Sequence, residues 1–441
     1  MASKNLILNY KNKFGFSDKF IAKTGKHLLP YIQKLKKILK EKDNQRPESF
    51  LNLVESQILI EIKRLAYQKI KEAKILILIG IGGSSLGTQA IYETLRGEFN
   101  FGKEKKFPQT IFLDKSNVAY LNDVLNFLKQ QTKSNREILI VLISKSGTTL
   151  ESLINFNVLW QFLKRRGTNF KNNVVVITER NSLLWQTAEK ENFTLLEIPK
   201  AVSGRYSVFS SVGLFPLAAL KINIQKLIEG AKTMRNKCLE ENVKDNPALI
   251  LAAFLFWSQQ KGKTIIDNFF FEPNLEILGK WLRQLLAESL GKNGRGLTPT
   301  VSLGTADLHS VFQLSLAGPR NKSTIFVFVA QPPRPRLSIK PLPEFKKLIS
   351  SFQGKDVFEI IEAVYQSVKN VYAKKKLPFI EIILPEISED SLGQFLMLQM
   401  MATIFLAKLW KINAFNQPAV ELYKSLARKI LAGKVKKFNN D

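Results

Sequence analysis

The chain is poor in cysteine, histidine and negative charge: its 441 residues include one Cys and two His, and 37 Asp and Glu stand against 66 Lys and Arg. A lone Cys238 cannot close an intramolecular disulfide, and Cys238, His27 and His309 are too few and too scattered for a structural zinc cluster. Long apolar runs are also missing. The most apolar windows, 247–257 and 395–407, read as buried helices: the first is too short to span a bilayer, and the second carries Gln399 and ends at Lys408. The opening MASKNLILNYKNKF lacks the extended apolar stretch and the cleavage site of a secretory signal. These absences predict a soluble, cytoplasmic protein that contacts no membrane.

The surplus of cations gives a formal net charge of +29. It is spread over separated clusters at 34–42, 103–106, 164–166, 374–376 and 434–437, and these are not interleaved with aromatic residues. A single-strand binder alternates stacking rings with cations, and a duplex reader concentrates charge on one element. The pattern therefore predicts a solvated basic surface with no specific nucleic-acid partner, although such a surface attracts anionic metabolites.

What is present is ample core material, with 45% hydrophobic residues, in a chain long enough for two or three domains of about 150 residues. Short apolar runs at 75–79, 110–113, 138–143, 174–178 and 195–198 alternate with segments of helical period. After a helical stretch over 223–260, similar runs recur at 264–266, 324–329 and 379–384. This rhythm predicts an α/β fold, and runs that are apolar throughout suit parallel strands covered on both faces. The expected organisation is a helical arm over 1–50, a first α/β domain over 51–222, a second over 223–410 and a helical C-terminal segment over 411–441. Residues 331–343 read as a proline-rich loop.

Two loops have the chemistry of phosphate sites. The first, Ile75-Leu-Ile-Leu-Ile-Gly-Ile-Gly-Gly-Ser-Ser-Leu-Gly87, is a strand running through Gly82 and Gly83 into a helix, with Ser84 and Ser85 at the helix start. It does not fit G-x-G-x-x-G, because serine stands at position 85, where glycine is needed if Gly80 opens the motif, and at position 84, where it is needed if Gly82 does, and no Gly-Lys-Ser/Thr follows for a Walker loop. The second, Ser144-Lys-Ser-Gly-Thr-Thr149, packs Ser144, Ser146, Thr148, Thr149 and Lys145 into six residues ahead of another helix. Hydroxyls and free N–H groups at a helix N-terminus surround phosphate oxygens well, and the hydroxyls are expected to double as helix caps. Both loops leave the carboxyl edge of one sheet, the ligand side of open α/β folds.

Candidate proton-transfer groups come later. Glu288 lies one helical turn after Gln284 among apolar residues. His309 sits in Gly304-Thr-Ala-Asp-Leu-His-Ser310, and Lys424 in the helix that Asn416-Gln-Pro-Ala-Val-Glu-Leu-Tyr-Lys424 enters after a proline.

Taken in order, Gly80-Ile-Gly-Gly-Ser84, Ser144-Lys-Ser-Gly-Thr-Thr149, Gly204-Arg-Tyr-Ser207, Glu288-Ser-Leu-Gly-Lys292, Asp307-Leu-His-Ser310 and Gln417-Pro-Ala-Val-Glu-Leu-Tyr-Lys424 resemble motifs of the glucose-6-phosphate isomerase family. The resemblance runs from about residue 75 to residue 424. It implies two sugar-isomerase (SIS) domains with parallel sheets and interconversion of glucose 6-phosphate and fructose 6-phosphate in glycolysis and gluconeogenesis. It also implies a homodimer and no metal or organic cofactor. On this likeness Ser84, Ser144, Ser146 and Thr149 hold the phosphate, with Lys145 and Thr148 in the same loop and Gly83 and Gly204 beside the substrate. Glu288 moves a proton from C2 to C1 through a cis-enediolate, Arg205 stabilises that anion, and His309 and Lys424 open the sugar ring. His309 comes from the neighbouring subunit in family dimers, and Gln284 and Gln417 match substrate-contacting positions. Two positions depart from the family pattern: Ser203 and Ala419 stand where glycine is common. The competing expectation is a non-catalytic sugar-phosphate-binding regulatory module using the same two loops, and adhesion to nucleic acid is a third.

Overall fold

Runs of Ile, Leu and Val become strands in the computed structural model, which describes residues 5–10, 14–55, 58–97, 108–167, 170–331, 335–340 and 342–434. The basic run 103–106, and the run 434–437 beyond Lys434, lie outside the described residues. In chain order the strands are β1 Ile7–Asn9, β2 Ile75–Ile79, β3 Gln109–Leu113, β4 Ile138–Ile143, β5 Val174–Thr178, β6 Thr194–Glu197, β7 Ile265–Phe270, β8 Thr298–Leu303, β9 Lys322–Val329 and β10 Phe379–Leu384. One sheet has the order β3-β2-β4-β5-β6 and is parallel throughout, with Ile77 level with both Ile111 and Ile140. The other has the order β1-β10-β9-β7-β8, parallel except for β1, whose Leu8 lies antiparallel to Ile382.

Both faces of each sheet are covered, which explains the unbroken apolar runs. In β2, Leu76 and Leu78 point into the central core, while Ile75, Ile77 and Ile79 join a second cluster beneath the first sheet. In β7, Phe270 faces the central core while Phe269 packs with Phe326 and Tyr365 on the far side. The central core is continuous between the sheets and contains the helix Glu389–Trp410, buried on all sides. That helix is long and apolar enough to cross a bilayer, yet 89% of its most apolar window is enclosed by the protein.

Three details differ from the sequence reading. The first fifty residues hold a strand, β1, as well as the helix Asp18–Glu41, and that helix runs through Pro30 and ends at Lys42 in the left-handed region. Strand β8 was not expected: Thr-Pro-Thr-Val-Ser-Leu is polar at alternate positions and contains proline, features that an edge strand tolerates. The stretch 223–260 divides into helices Ile224–Cys238 and Pro247–Gln260, each begun by an asparagine side chain capping backbone N–H groups.

Helices Ile224–Cys238 and Glu389–Trp410 approach closely enough that a Cβ on Gly393 would overlap the carbonyl oxygen of Leu227. Gly393→Ala is therefore expected to cost about 1–3 kcal/mol of folding stability by overpacking. A denaturant midpoint equal to that of the wild type would contradict this packing.

Candidate active site

The strand order of the first sheet creates the crevice. From β2 the chain crosses to β3 on one side, whereas from β4 it crosses to β5 on the other, so the direction of winding reverses between β2 and β4. The loops leaving these two strands are residues 80–85 and 144–149, the two that the sequence marks as phosphate loops. They are packed together: a Cβ on Gly80 would stand 3.3 Å from the carbonyl oxygen of Ile143.

The first loop makes a short turn over Gly82–Ser84 and enters the helix Leu86–Arg96. Gly82 adopts φ +58°, the left-handed conformation that glycine accepts freely. Gly83 lies so close to the turn Gly204–Tyr206 that a Cβ there would overlap the carbonyl carbon of Gly204 and come within 2.6 Å of the Arg205 nitrogen. The contact is one-sided, since a Cβ on Gly204 would meet Gly83 at an ordinary 3.7 Å. The Gln284 side chain approaches Gly82 from above, and its Oε1 is buried without a hydrogen-bond partner.

In the second loop, Ser144 is fully buried and its hydroxyl lies 2.9 Å from that of Thr149. The Thr148 hydroxyl and backbone N–H both donate to Ser146 Oγ, at 3.1 and 3.2 Å. Thr149 occupies the N-cap of the helix Leu150–Arg165 but makes no side-chain cap bond, contrary to the expected capping role, because its hydroxyl is engaged with Ser144. The first-turn N–H groups of a 16-residue helix thus face the crevice without a side-chain cap. Lys145 does not extend over the loop. Its ammonium donates to the carbonyls of Lys200 and Val202 at 2.7 and 2.8 Å, and burial pulls its pKa below the ordinary lysine value. Lys145 therefore anchors the segment leading into Ser203, Gly204 and Arg205.

Arg205 is the hub. Only 3% exposed, it donates to Ser289 Oγ (2.8 Å), Glu288 Oε2 (3.2 Å), Gln417 Oε1 (2.9 Å), the Ala414 carbonyl (2.6 Å) and the Asn416 carbonyl (3.1 Å). The Glu288 side chain is 35% exposed, so it is held from one side by the guanidinium and open on the other. Ser289 and the Tyr206 hydroxyl, 3.1 Å apart, complete the buried support. At the end of the same helix, Lys292 Nζ donates to the carbonyls of Glu288 and Ser289 at 2.7 and 2.6 Å. Burial, reinforced by the neighbouring Arg205 charge and opposed by Glu288, lowers the Lys292 pKa to about 8.

The structure thus brings Arg205, Glu288, Gln417, Gly83, Ser84, Gly204, Gln284 and the Ser144 loop to one crevice. The two remaining candidates stand outside this network. His309, in the loop after β8, is exposed, and no side-chain hydrogen bond or ion pair among the described residues joins it to the hub. Lys424, on the helix Pro418–Leu431, pairs with Glu421 at 2.9 Å.

The phosphoglucose isomerase family model matches residues 59–439. The chain belongs to the phosphoglucose isomerase family. It is 33% identical over 400 residues to the probable glucose-6-phosphate isomerase of Methanococcus maripaludis, spanning 91% of this chain and 88% of that protein. It is 34% identical over 365 residues to the glucose-6-phosphate isomerase of Methanocaldococcus jannaschii, spanning 83% and 86%. Among solved structures, a hypothetical protein of Thermus thermophilus matches with a TM-score of 0.87 at 29% identity, over 97% of this chain and 100% of that one. A glucose-6-phosphate isomerase from Chlamydia trachomatis shares the fold, with a TM-score of 0.82 at 18% identity, over 99% of this chain and 90% of that one.

Against the phosphoglucose isomerase pattern, Ser203 adds a hydroxyl that is buried without a partner, although its φ of −74° accommodates a side chain without strain. Sequence reasoning gave no role to Ser289, Tyr206, Lys292 or Arg428, whose Nη2 lies 3.4 Å from Thr148 Oγ1. Two of these carried a signal: Lys292 and Arg428 each follow a candidate, Glu288 and Lys424, by one helical turn.

Two outcomes follow from this geometry. Gly83→Ala should lower stability by about 1–3 kcal/mol and distort the crevice, whereas Gly204→Ala is tolerated; equal thermal midpoints for the two variants would contradict the one-sided contact. For Lys292, the folded pKa lies below the unfolded one, so the unfolded chain holds the proton more tightly between about pH 8 and 10.5. Stability of the wild type relative to Lys292→Met should therefore rise with pH across that window, and a pH-independent difference between their denaturation curves would refute the shift.

Proposed function

We propose that the chain interconverts glucose 6-phosphate and fructose 6-phosphate by ring opening and proton transfer through a cis-enediolate. The observation that carries this reading is Glu288, held 3.2 Å from a buried Arg205 at the mouth of a crevice whose opposite wall is a hydroxyl-rich helix N-terminus. A carboxylate and a fixed cation side by side match the demands of enediol chemistry, since one takes the proton as the other balances the developing oxyanion. Arg205 suits this role because a guanidinium does not surrender a proton to the intermediate. Family membership and the two archaeal relatives support the same substrates.

In this mechanism the phosphate docks on Ser84, Ser144, Ser146, Thr148 and Thr149 against the N-terminus of the helix Leu150–Arg165. Lys145 positions the Arg205 segment rather than contacting the anion. Gln284, with its unpartnered buried Oε1, accepts from a sugar hydroxyl, and Gln417 contacts the sugar beside Arg205. Ring opening moves a proton between the ring oxygen and O1, performed by Lys424 and by His309 of the partner subunit in a homodimer. The exposed loop position of His309 and its lack of a tie to the hub support delivery from a second copy. Glu288 then removes the C2 proton and returns it to C1, so aldose and ketose balance without a metal or organic cofactor. The reaction belongs to cytoplasmic sugar metabolism.

Replacing Glu288 by Gln is expected to leave fructose 6-phosphate binding near the wild-type level while lowering turnover at least about 100-fold, the contribution of a general base. A purified wild-type chain that binds fructose 6-phosphate but forms no glucose 6-phosphate would instead support the regulatory sugar-phosphate module.

A further inference from the structure

On the side of the molecule formed by helices Asp18–Glu41, Pro247–Gln260 and the end of Glu389–Trp410 lies a cleft of about 920 Å³. Its walls carry Lys23, His27, Lys408 and Lys411, with Phe20 and Phe256 at its base, their ring centroids 6.3 Å apart. No carboxylate lines it, and among the described residues none of these four basic side chains takes part in an ion pair or a side-chain hydrogen bond; Lys408 Nζ lies over the Tyr31 ring, 5.5 Å from its centroid. Cations without counter-ions that converge on one concavity repel each other, and an anion relieves that repulsion. Two helix C-termini end nearby, each worth about half a negative charge. They offset only part of three lysine charges, so the cleft remains cationic.

The cleft wall is also the outer side of a strap that holds the catalytic centre. Lys408, Lys411, Ile412 and Asn413 face the cleft. Between and beyond them, the Trp410 carbonyl accepts from Arg295 at 2.7 Å, and the carbonyls of Ala414 and Asn416 accept from Arg205. Arg295 is bridged to Lys292, which in turn grips the carbonyls of Glu288 and Ser289. Two short hydrogen-bonded routes therefore lead from the cleft to the two ends of the Arg205–Glu288 pair.

We propose that this cleft is a second anion site, taking a small phosphorylated polyanion, and that its occupancy shifts the strap and so modulates the isomerase centre. The binding half stands on the cleft alone, and the modulation half rests on the proposed isomerase reading. The phosphate groups meet Lys23, Lys408 and Lys411, and the Phe20 and Phe256 rings offer an apolar floor to the organic part.

The test uses the full chain and two probes, inorganic pyrophosphate and ATP, titrated calorimetrically into the wild type, into a Lys23→Gln/Lys408→Gln variant and into a Ser144→Ala/Thr149→Val variant. The expected result is saturable binding that weakens at least about tenfold in the lysine variant and persists in the hydroxyl variant. Both lysines are exposed, so their loss leaves the fold intact. ATP binding more tightly than pyrophosphate assigns the floor to an aromatic group, and equal affinity assigns the site to phosphate groups alone. Pyrophosphate is further expected to change kcat of the wild type but not of the lysine variant. No binding to the wild type, binding abolished only in the hydroxyl variant, or purely competitive inhibition unaltered in the lysine variant would each overturn the proposal. A wild type that binds pyrophosphate through the lysines yet has no isomerase activity would refute the functional reading while leaving the site standing.

Discussion

Arg205 is the constraint on which the site depends. A guanidinium that is 3% exposed carries a desolvation penalty of several kcal/mol, and it is tolerable only when its donors are satisfied. Its acceptors come from two segments far apart in sequence, Glu288 with Ser289 and the stretch 414–417. Satisfying one buried cation therefore fixes the helix that carries Glu288, the entrance to the C-terminal helix and the turn carrying Gly204 in a single arrangement. Removing any one acceptor leaves a buried charge short of a partner, which is costlier than the nominal value of the lost bond. The site is closed around Arg205 and open at the free side of Glu288, whose side chain is 35% exposed.

The phosphate side of the crevice has a different origin. It follows from strand order: where winding reverses between β2 and β4, two loops end side by side at the carboxyl edge of the sheet. Gly83 lets the first of these loops touch the backbone of Gly204, and Lys145 ties the second to the carbonyls just before Ser203. The two halves of the site are thereby coupled by backbone contacts, so that the proposed phosphate loops and the Arg205–Glu288 pair share one frame. Most of the net charge of +29 plays no part in that frame, and the lysines at the outer cleft are the place where it is concentrated against the strap.

Much of this was legible in the sequence, and the exceptions have physical reasons. Strands such as β2, β4 and β10 were readable because burial on both faces demands an unbroken apolar run. Strand β8 hid because it is an edge strand whose Thr300 and Ser302 donate to the buried Asp267 of β7, so its polar residues are satisfied inside the sheet. Strand β1 is three residues long and exists only through pairing with β10, far away in the chain. At the site, Ser144, Thr149, Arg205 and Glu288 could be singled out by residue type and motif order. The direction in which a side chain points could not. Lys145 looks like a phosphate ligand by composition and turns instead to two carbonyls, while Arg428 reaches Thr148 across 280 positions. His309 was conspicuous by scarcity, yet its loop leaves it exposed and away from the Arg205 network, so the assignment of ring opening to it stays with the proposal of a second subunit.

The central claim is that Glu288, steadied by Arg205, carries one proton between adjacent carbons. The most direct measurement is conversion of glucose 6-phosphate deuterated at C2, with the label in fructose 6-phosphate located by NMR. A single carboxylate base predicts slowed turnover and deuterium found partly at C1 and partly in solvent, because the carboxylic acid exchanges while the enediolate lives. Complete retention of deuterium at C1 would indicate a hydride shift and would contradict the account.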